Sequence, residues 1–135
     1  MNKVWFITGC STGFGRNLAQ EVLQNGGKVA VTARNTNDVK DIVNKYPDTA
    51  FAITLDVTKP QQVKDAVQQA INKFGQIDVL VNNAGIGYFG AIEESEEDQV
   101  RRMFEINFFG LNAVTTEVLP HLRKLRSGHI ISISS

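Results

Sequence analysis

Two hydrophobic periods alternate along the chain. Val4-Trp5-Phe6-Ile7 is a short unbroken apolar run that ends at Thr8-Gly9. Val29-Ala30-Val31, Phe51-Ala52-Ile53-Thr54-Leu55, Ile77-Asp78-Val79-Leu80-Val81 and His129-Ile130-Ile131-Ser132-Ile133 share its character. Short β-branched runs without strict alternation predict strands covered on both faces, as in a parallel sheet. Between them the period lengthens. Phe14, Leu18 and Val22 share one helical face, as do Val39, Ile42, Val43 and Tyr46, where Pro47 stops the run. Val63, Ala66, Val67, Ala70, Ile71 and Phe74 keep the same spacing. Thr58 is expected to cap that helix, with Pro60 in its first turn and Gly75 at its end.

The longest helix is expected to start at Ser95 and run to about Leu125 or Arg126, with Pro120 kinking it or ending it early. Its acidic entry, EESEED, and basic exit, HLRKLR, complement its own dipole and need no further explanation. The apolar seam reads Val100, Phe104, Asn107, Leu111, Val114, Val118, Leu122, which predicts that Asn107 points inward. An amide in that place destabilises the fold unless it is hydrogen-bonded, so Asn107 is either a satisfied structural amide or part of a site. The whole order is β-α-β-α-β-α-β-α-β. With right-handed crossovers it predicts an α/β, doubly wound, Rossmann-like parallel sheet with helices on both faces.

Composition adds little to this picture but excludes several classes. The 135 residues suit one domain; 42% are apolar and 21% charged. Fourteen basic residues balance fourteen acidic ones, so no net field favours nucleic acid or an anionic membrane. The apolar start is too short for a signal peptide and no run approaches a membrane span. Cys10 is the single cysteine, which fits a reducing compartment, and a cytoplasmic location is expected. Cys10, His121 and His129 have no recognisable metal-ligand spacing.

The chemistry concentrates after the first strand. TGCSTGFG, residues 8–15, joins it to a helix, and three glycines at a helix start imply close approach of backbone to something. Unpaired N–H groups and positive partial charge make a phosphate the natural guest, in the place where open parallel sheets bind ligands. Tight packing of helix on strand is the competing explanation. The spacing is G-x-x-x-G-x-G, which is neither the common G-x-G-x-x-G fingerprint nor a P-loop, since no Gly-Lys-Ser/Thr closes it.

This loop, with Thr8 before its first glycine, resembles that of the short-chain dehydrogenase/reductase family. NNAG, residues 82–85, after the fourth strand, FEINFFG around Asn107, and GHIISISS, residues 128–135, are similar to the family's further motifs and stand in its order. The resemblance implies a strand order 3-2-1-4-5 and reversible hydride transfer between a nicotinamide dinucleotide and a ketone, aldehyde or alcohol. It also implies a homo-oligomeric parent enzyme. Gly9, Gly13 and Gly15, with Phe14, would lie along the pyrophosphate, and Ser11 and Thr12 would add hydroxyls. Asp56 and Val57 would flank adenine, though Asp56 also suits a cap or turn. Ala84 and Gly85 would meet the nicotinamide-side ribose, while Asn83 is expected to tie strands together beside the cofactor. Asn107 matches the family's asparagine that helps hold a proton relay. Ser135 matches the serine that orients the substrate carbonyl, with Ser134 as its neighbour.

Arg34 decides the expected cofactor. It follows the second strand, where an acid would hold the ribose of NAD; the preceding residue is Ala33. Arg34 would meet the 2′-phosphate of NADP(H), with NAD(H) remaining possible and Asp38 the weaker ribose candidate. The family's tyrosine, with lysine four residues on, is not found: Tyr46 is followed at that spacing by Ala50, and Tyr88 by Ile92. The expectation is therefore one dinucleotide-binding domain, 1–135, the N-terminal part of a longer enzyme cut after the fifth strand and inactive alone. A non-catalytic dinucleotide-binding module or sensor is the alternative.

Overall fold

A computed structural model of the chain describes residues 2–134. The apolar runs form strands β1 (Val4–Ile7), β2 (Lys28–Ala33), β3 (Ala50–Thr54), β4 (Val79–Asn82) and β5 (His129–Ser132). Helices α1 (Gly13–Gln24), α2 (Lys40–Lys45), α3 (Pro60–Phe74), α4 (Glu97–Phe104) and α5 (Leu111–Leu125) connect them. Every pairing is parallel and the sheet runs β3-β2-β1-β4-β5, the order expected.

Successive strand residues point to opposite faces, and each face has its own core. Phe6, Ala30, Ile53 and Leu80 pack with Val63, Ala66, Val67 and Ala70 of α3 and with Val114, Val118 and Leu122 of α5. Ile7, Val29, Val31, Val79 and Val81 pack with Ala19 and Leu23 of α1 and with Val39 and Ile42 around α2. Burying a side chain such as Phe6, Ile7 or Leu80 completely is worth roughly 1.5–3 kcal/mol. Helix α3 ends as expected: Gly75 adopts the left-handed conformation (φ 87°) and donates to the Ile71 carbonyl at 2.7 Å.

Three expectations need correction. Thr58 does not cap α3; Lys59 holds that position, and Thr58 is bonded to Asp56 instead. The long helix starts at Glu97 rather than Ser95, and it continues through Pro120 to Leu125. Its middle, Glu105–Gly110, is π-helical, which inserts an extra residue into the turn. The core line therefore runs through half-buried Val100, Met103 and Ile106 to buried Gly110, Val114, Val118 and Leu122, and Leu111 of the predicted seam is half-buried beside it. Asn107 is exposed, one step off the core line, and Phe104 is 53% exposed.

Candidate functional site

Loops following β1 to β4 and one side of α4 enclose a cleft of about 870 Å³. Gly9, Ser11, Thr12 and Phe14 line it from the first loop, and Ala33 and Arg34 from the end of β2. Leu55, Asp56, Val57 and Thr58 follow from β3, and Asn83, Ala84, Gly85 and Ile86 from β4. The opposite wall is Asp98, Gln99, Arg101, Arg102, Glu105 and Ile106.

The glycines of the first loop divide into two kinds. A Cβ on Gly9 would stand 2.9 Å from the Ala84 Cα, so the loops after β1 and β4 touch backbone to backbone. A Cβ on Gly15 would collide with Asn83 Nδ2 and the Gly9 carbonyl. These two serve packing, the competing explanation for the motif. Gly13 differs: it shares a positive φ (+62°) with Gly9 (+70°), but nothing lies within 4 Å of a would-be Cβ. Gly13 opens α1, and the Thr12 side chain does not cap that helix. The first N–H groups of α1 thus have no side-chain acceptor at the cap, and the positive end of the helix is available to an anion. Gly13 and Gly15 shape the loop without lining the cleft.

Thr8, which the motif reading named without giving it a role, joins the loops. It is buried, and its hydroxyl accepts the N–H groups of Asn83 and Ala84, each at 2.9 Å. Asn83 answers through Nδ2, donating to the carbonyls of Thr8 (3.1 Å) and Gly9 (3.0 Å). Asn83 thus ties β1 to β4. Its neighbour Asn82 donates to Thr115 Oγ at 3.0 Å, and Asn82 Oδ1 is buried without a partner among the described residues. The signal for Thr8 was a lone hydroxyl closing an apolar strand.

Arg34 is exposed on the cleft wall and makes no salt bridge among the described residues. Asp56 faces the same cleft. Burial pushes its carboxyl up, but hydrogen bonds from the Thr58 hydroxyl (2.6 Å) and N–H (3.0 Å), with the charges of Lys59 and Arg34, outweigh this and hold it below the usual carboxylate range. Asp56 therefore has the turn role while one carboxylate oxygen stays outside that turn. Asp38 lies in a single 3-10 turn, Thr36–Val39, and does not line the cleft.

Asn107 lies beside the cleft rather than in its lining. Its Oδ1 accepts the Ile86 N–H at 2.9 Å and its Nδ2 donates to the Ile86 carbonyl at 2.8 Å, which fixes the loop after β4. Ser134 is exposed beyond β5, and Ser135 lies outside the described residues. Cys10 is fully buried; burial pushes its thiol up to about 12, against a smaller opposing hydrogen bond with the Thr32 backbone. The α4 wall had no motif to reveal it, because its charges also suit a solvated helix.

A family model described as short chain dehydrogenase matches residues 3–135. The chain belongs to the short-chain dehydrogenase family. Oxidoreductase BOA17 of Botryotinia fuckeliana is 43% identical over 136 residues, covering 100% of this chain and 50% of its own length. A short-chain dehydrogenase structure from Streptomyces avermitilis superposes with a TM-score of 0.96 at 42% identity, covering 100% of this chain and 50% of that one. A 3-ketoacyl-(acyl-carrier-protein) reductase from Brucella melitensis, solved with NADH, gives 0.92 at 33% identity, covering 98% and 57%. ElxO with NADP bound gives 0.92 at 34%, covering 100% and 56%. This short-chain dehydrogenase chain thus spans about half the length of such relatives. No helix among its described residues is long and apolar enough to cross a membrane.

Proposed function

We propose that this chain is the cofactor-holding part of a cytoplasmic, NADP(H)-dependent oxidoreductase that interconverts a ketone or aldehyde and an alcohol. The observation that carries the reading is Arg34: a guanidinium on the cleft wall, after Ala33 rather than an acid, and without a salt bridge among the described residues. The donor set suits a dinucleotide along its whole length. Uncapped N–H groups of α1, beside the cleft-lining Gly9, Ser11, Thr12 and Phe14, suit a pyrophosphate. Asp56 and Val57 would flank the adenine, and Ala84 and Gly85 the second ribose. Solved relatives carry NADH in one case and NADP in another, which supports the cofactor class.

When bound, the nicotinamide supplies or accepts the hydride. The residues of this chain bind and orient. Arg34 would hold the 2′-phosphate of NADP(H), since a guanidinium can present paired charge-assisted donors to a phosphate. Asn107 holds Ile86, and with it the loop that follows Ala84 and Gly85, in support of the proton relay. Ser135 is the residue proposed to orient the substrate carbonyl.

The test is cofactor affinity in the protein that carries this chain. NADPH is expected to bind more tightly than NADH by about ten- to a hundredfold, equivalent to roughly 1.5–3 kcal/mol for hydrogen bonds to a charged group. Arg34→Ala should remove most of that difference. Equal affinities in the unmodified protein would refute the assignment.

A further inference from the structure

Arg16 does not line the cleft, yet its guanidinium touches the two segments that carry much of the rim. It stands in the first turn of α1 with its side chain only 24% exposed. Nη1 donates to the Asp38 carbonyl at 3.0 Å and lies 3.5 Å from the Ser11 carbonyl, a long contact. Nη2 pairs with the Asp41 carboxylate. Ser11 belongs to the glycine-rich loop, whereas Asp38 and Asp41 lie just after Arg34. The path from Asp38 back to Arg34 is short and held. Asn35 Oδ1 accepts the Asn37 N–H at 3.0 Å, and the Asn35 carbonyl accepts the Asp38 N–H at 3.1 Å. Val39, next along, is fully buried. A rigid planar fork that reaches both segments fixes the spacing between them.

We infer that Arg16 is a positioning residue for cofactor discrimination: through Asp38 and Asp41 it sets where Arg34 stands relative to the glycine-rich loop. A ligand gripping both segments is then measured against one fixed distance. The inference rests on the reading of Arg34 as the 2′-phosphate contact. It depends on the shape of the guanidinium as well as its charge. A lysine could meet Asp41 but could not also span to the Asp38 carbonyl with a planar fork.

A double-mutant cycle tests it, using dissociation constants for NADPH and NADH in the protein that carries this chain. Arg16→Gln is expected to lower the NADPH-over-NADH preference by about three- to tenfold, the loss of one or two ordinary hydrogen bonds. Arg16→Lys should resemble Arg16→Gln more than the unmodified protein. In an Arg34→Ala background, Arg16→Gln should leave the remaining preference unchanged. Equal weakening of both cofactors by Arg16→Gln overturns the inference and makes Arg16 a general brace. So does a loss of preference that persists undiminished without Arg34. If Arg34→Ala alone leaves the preference intact, the reading of Arg34 has failed and the inference falls with it. Should Arg16→Gln not fold, Asp41→Asn breaks the same bridge from its more exposed partner and is expected to act in the same direction.

Discussion

At the scale of single residues, the Thr8 hydroxyl shows how little holds the cleft floor together. It satisfies two backbone donors of the loop after β4, while Asn83 satisfies two carbonyls of the loop after β1. Thr8→Val keeps the shape and leaves two half-buried N–H groups without their acceptor. Each such group costs about 1–3 kcal/mol, so thermal denaturation should register a loss well above that of an ordinary surface change. Thr8→Ser should retain most of the stability, and a Val variant as stable as the parent would exclude this role. The structural role of Asn83 was legible because an amide at the end of a buried strand must be paired. Thr8 was harder to read: a strand-end threonine looks like any β-branched residue until its partners are known. Arg16 gave no signal at all, since its partners Asp38 and Asp41 lie in a segment more than twenty residues away.

Among the elements, the helical stretch 97–125 departs furthest from a uniform helical period. The 3.6-residue period correctly placed Val114, Val118 and Leu122 in the core. It failed at Asn107 because periodicity assumes uniform turns, and the π segment Glu105–Gly110 displaces the inward line by one residue. Asn107 does find partners, as a polar group should, but on the Ile86 backbone rather than inside the core. Gly110 explains how this wider turn fits. It is buried, and a Cβ there would stand 2.5 Å from Val57 Cγ2, in the cleft segment after β3. Gly110→Ala should therefore overpack this contact, with a loss of about 1–3 kcal/mol in denaturant unfolding. Cofactor affinity should fall too, because Val57 is the residue that must yield. An alanine variant with unchanged stability would show that the loop yields without strain.

For the whole molecule, the doubly wound parallel sheet was legible from five apolar runs separated by helical patterns, whereas the strand order came from the family resemblance that four motifs carry. What surrounds the sheet was less so. Strand β5 is an edge, bonded only to β4 among the described residues. Ile130, Ile131 and Ile133 are each about 40% exposed, and Phe104, Phe108 and Phe109 each more than half. An uncharged β-branched edge offers free N–H and C=O groups to another chain, with little to oppose pairing. The 135-residue chain in isolation is therefore expected to self-associate as its concentration rises, and sedimentation velocity over a dilution series would follow it. Ile131→Lys should shift the distribution toward monomer by putting a charge on that edge. The same chain alone is expected to turn over no carbonyl substrate: among the described residues no tyrosine or lysine lines its cleft, and the Tyr88 hydroxyl accepts the Glu96 N–H at 3.0 Å. Side-chain proton delivery contributes about 10²–10⁴-fold, so its loss should leave cofactor binding measurable and turnover at background. Hydrogen exchange on β5 separates the outcomes for the edge. Protection of its amides that grows with concentration supports pairing between chains, whereas a monomer protected at every concentration would show that this edge is stable uncovered.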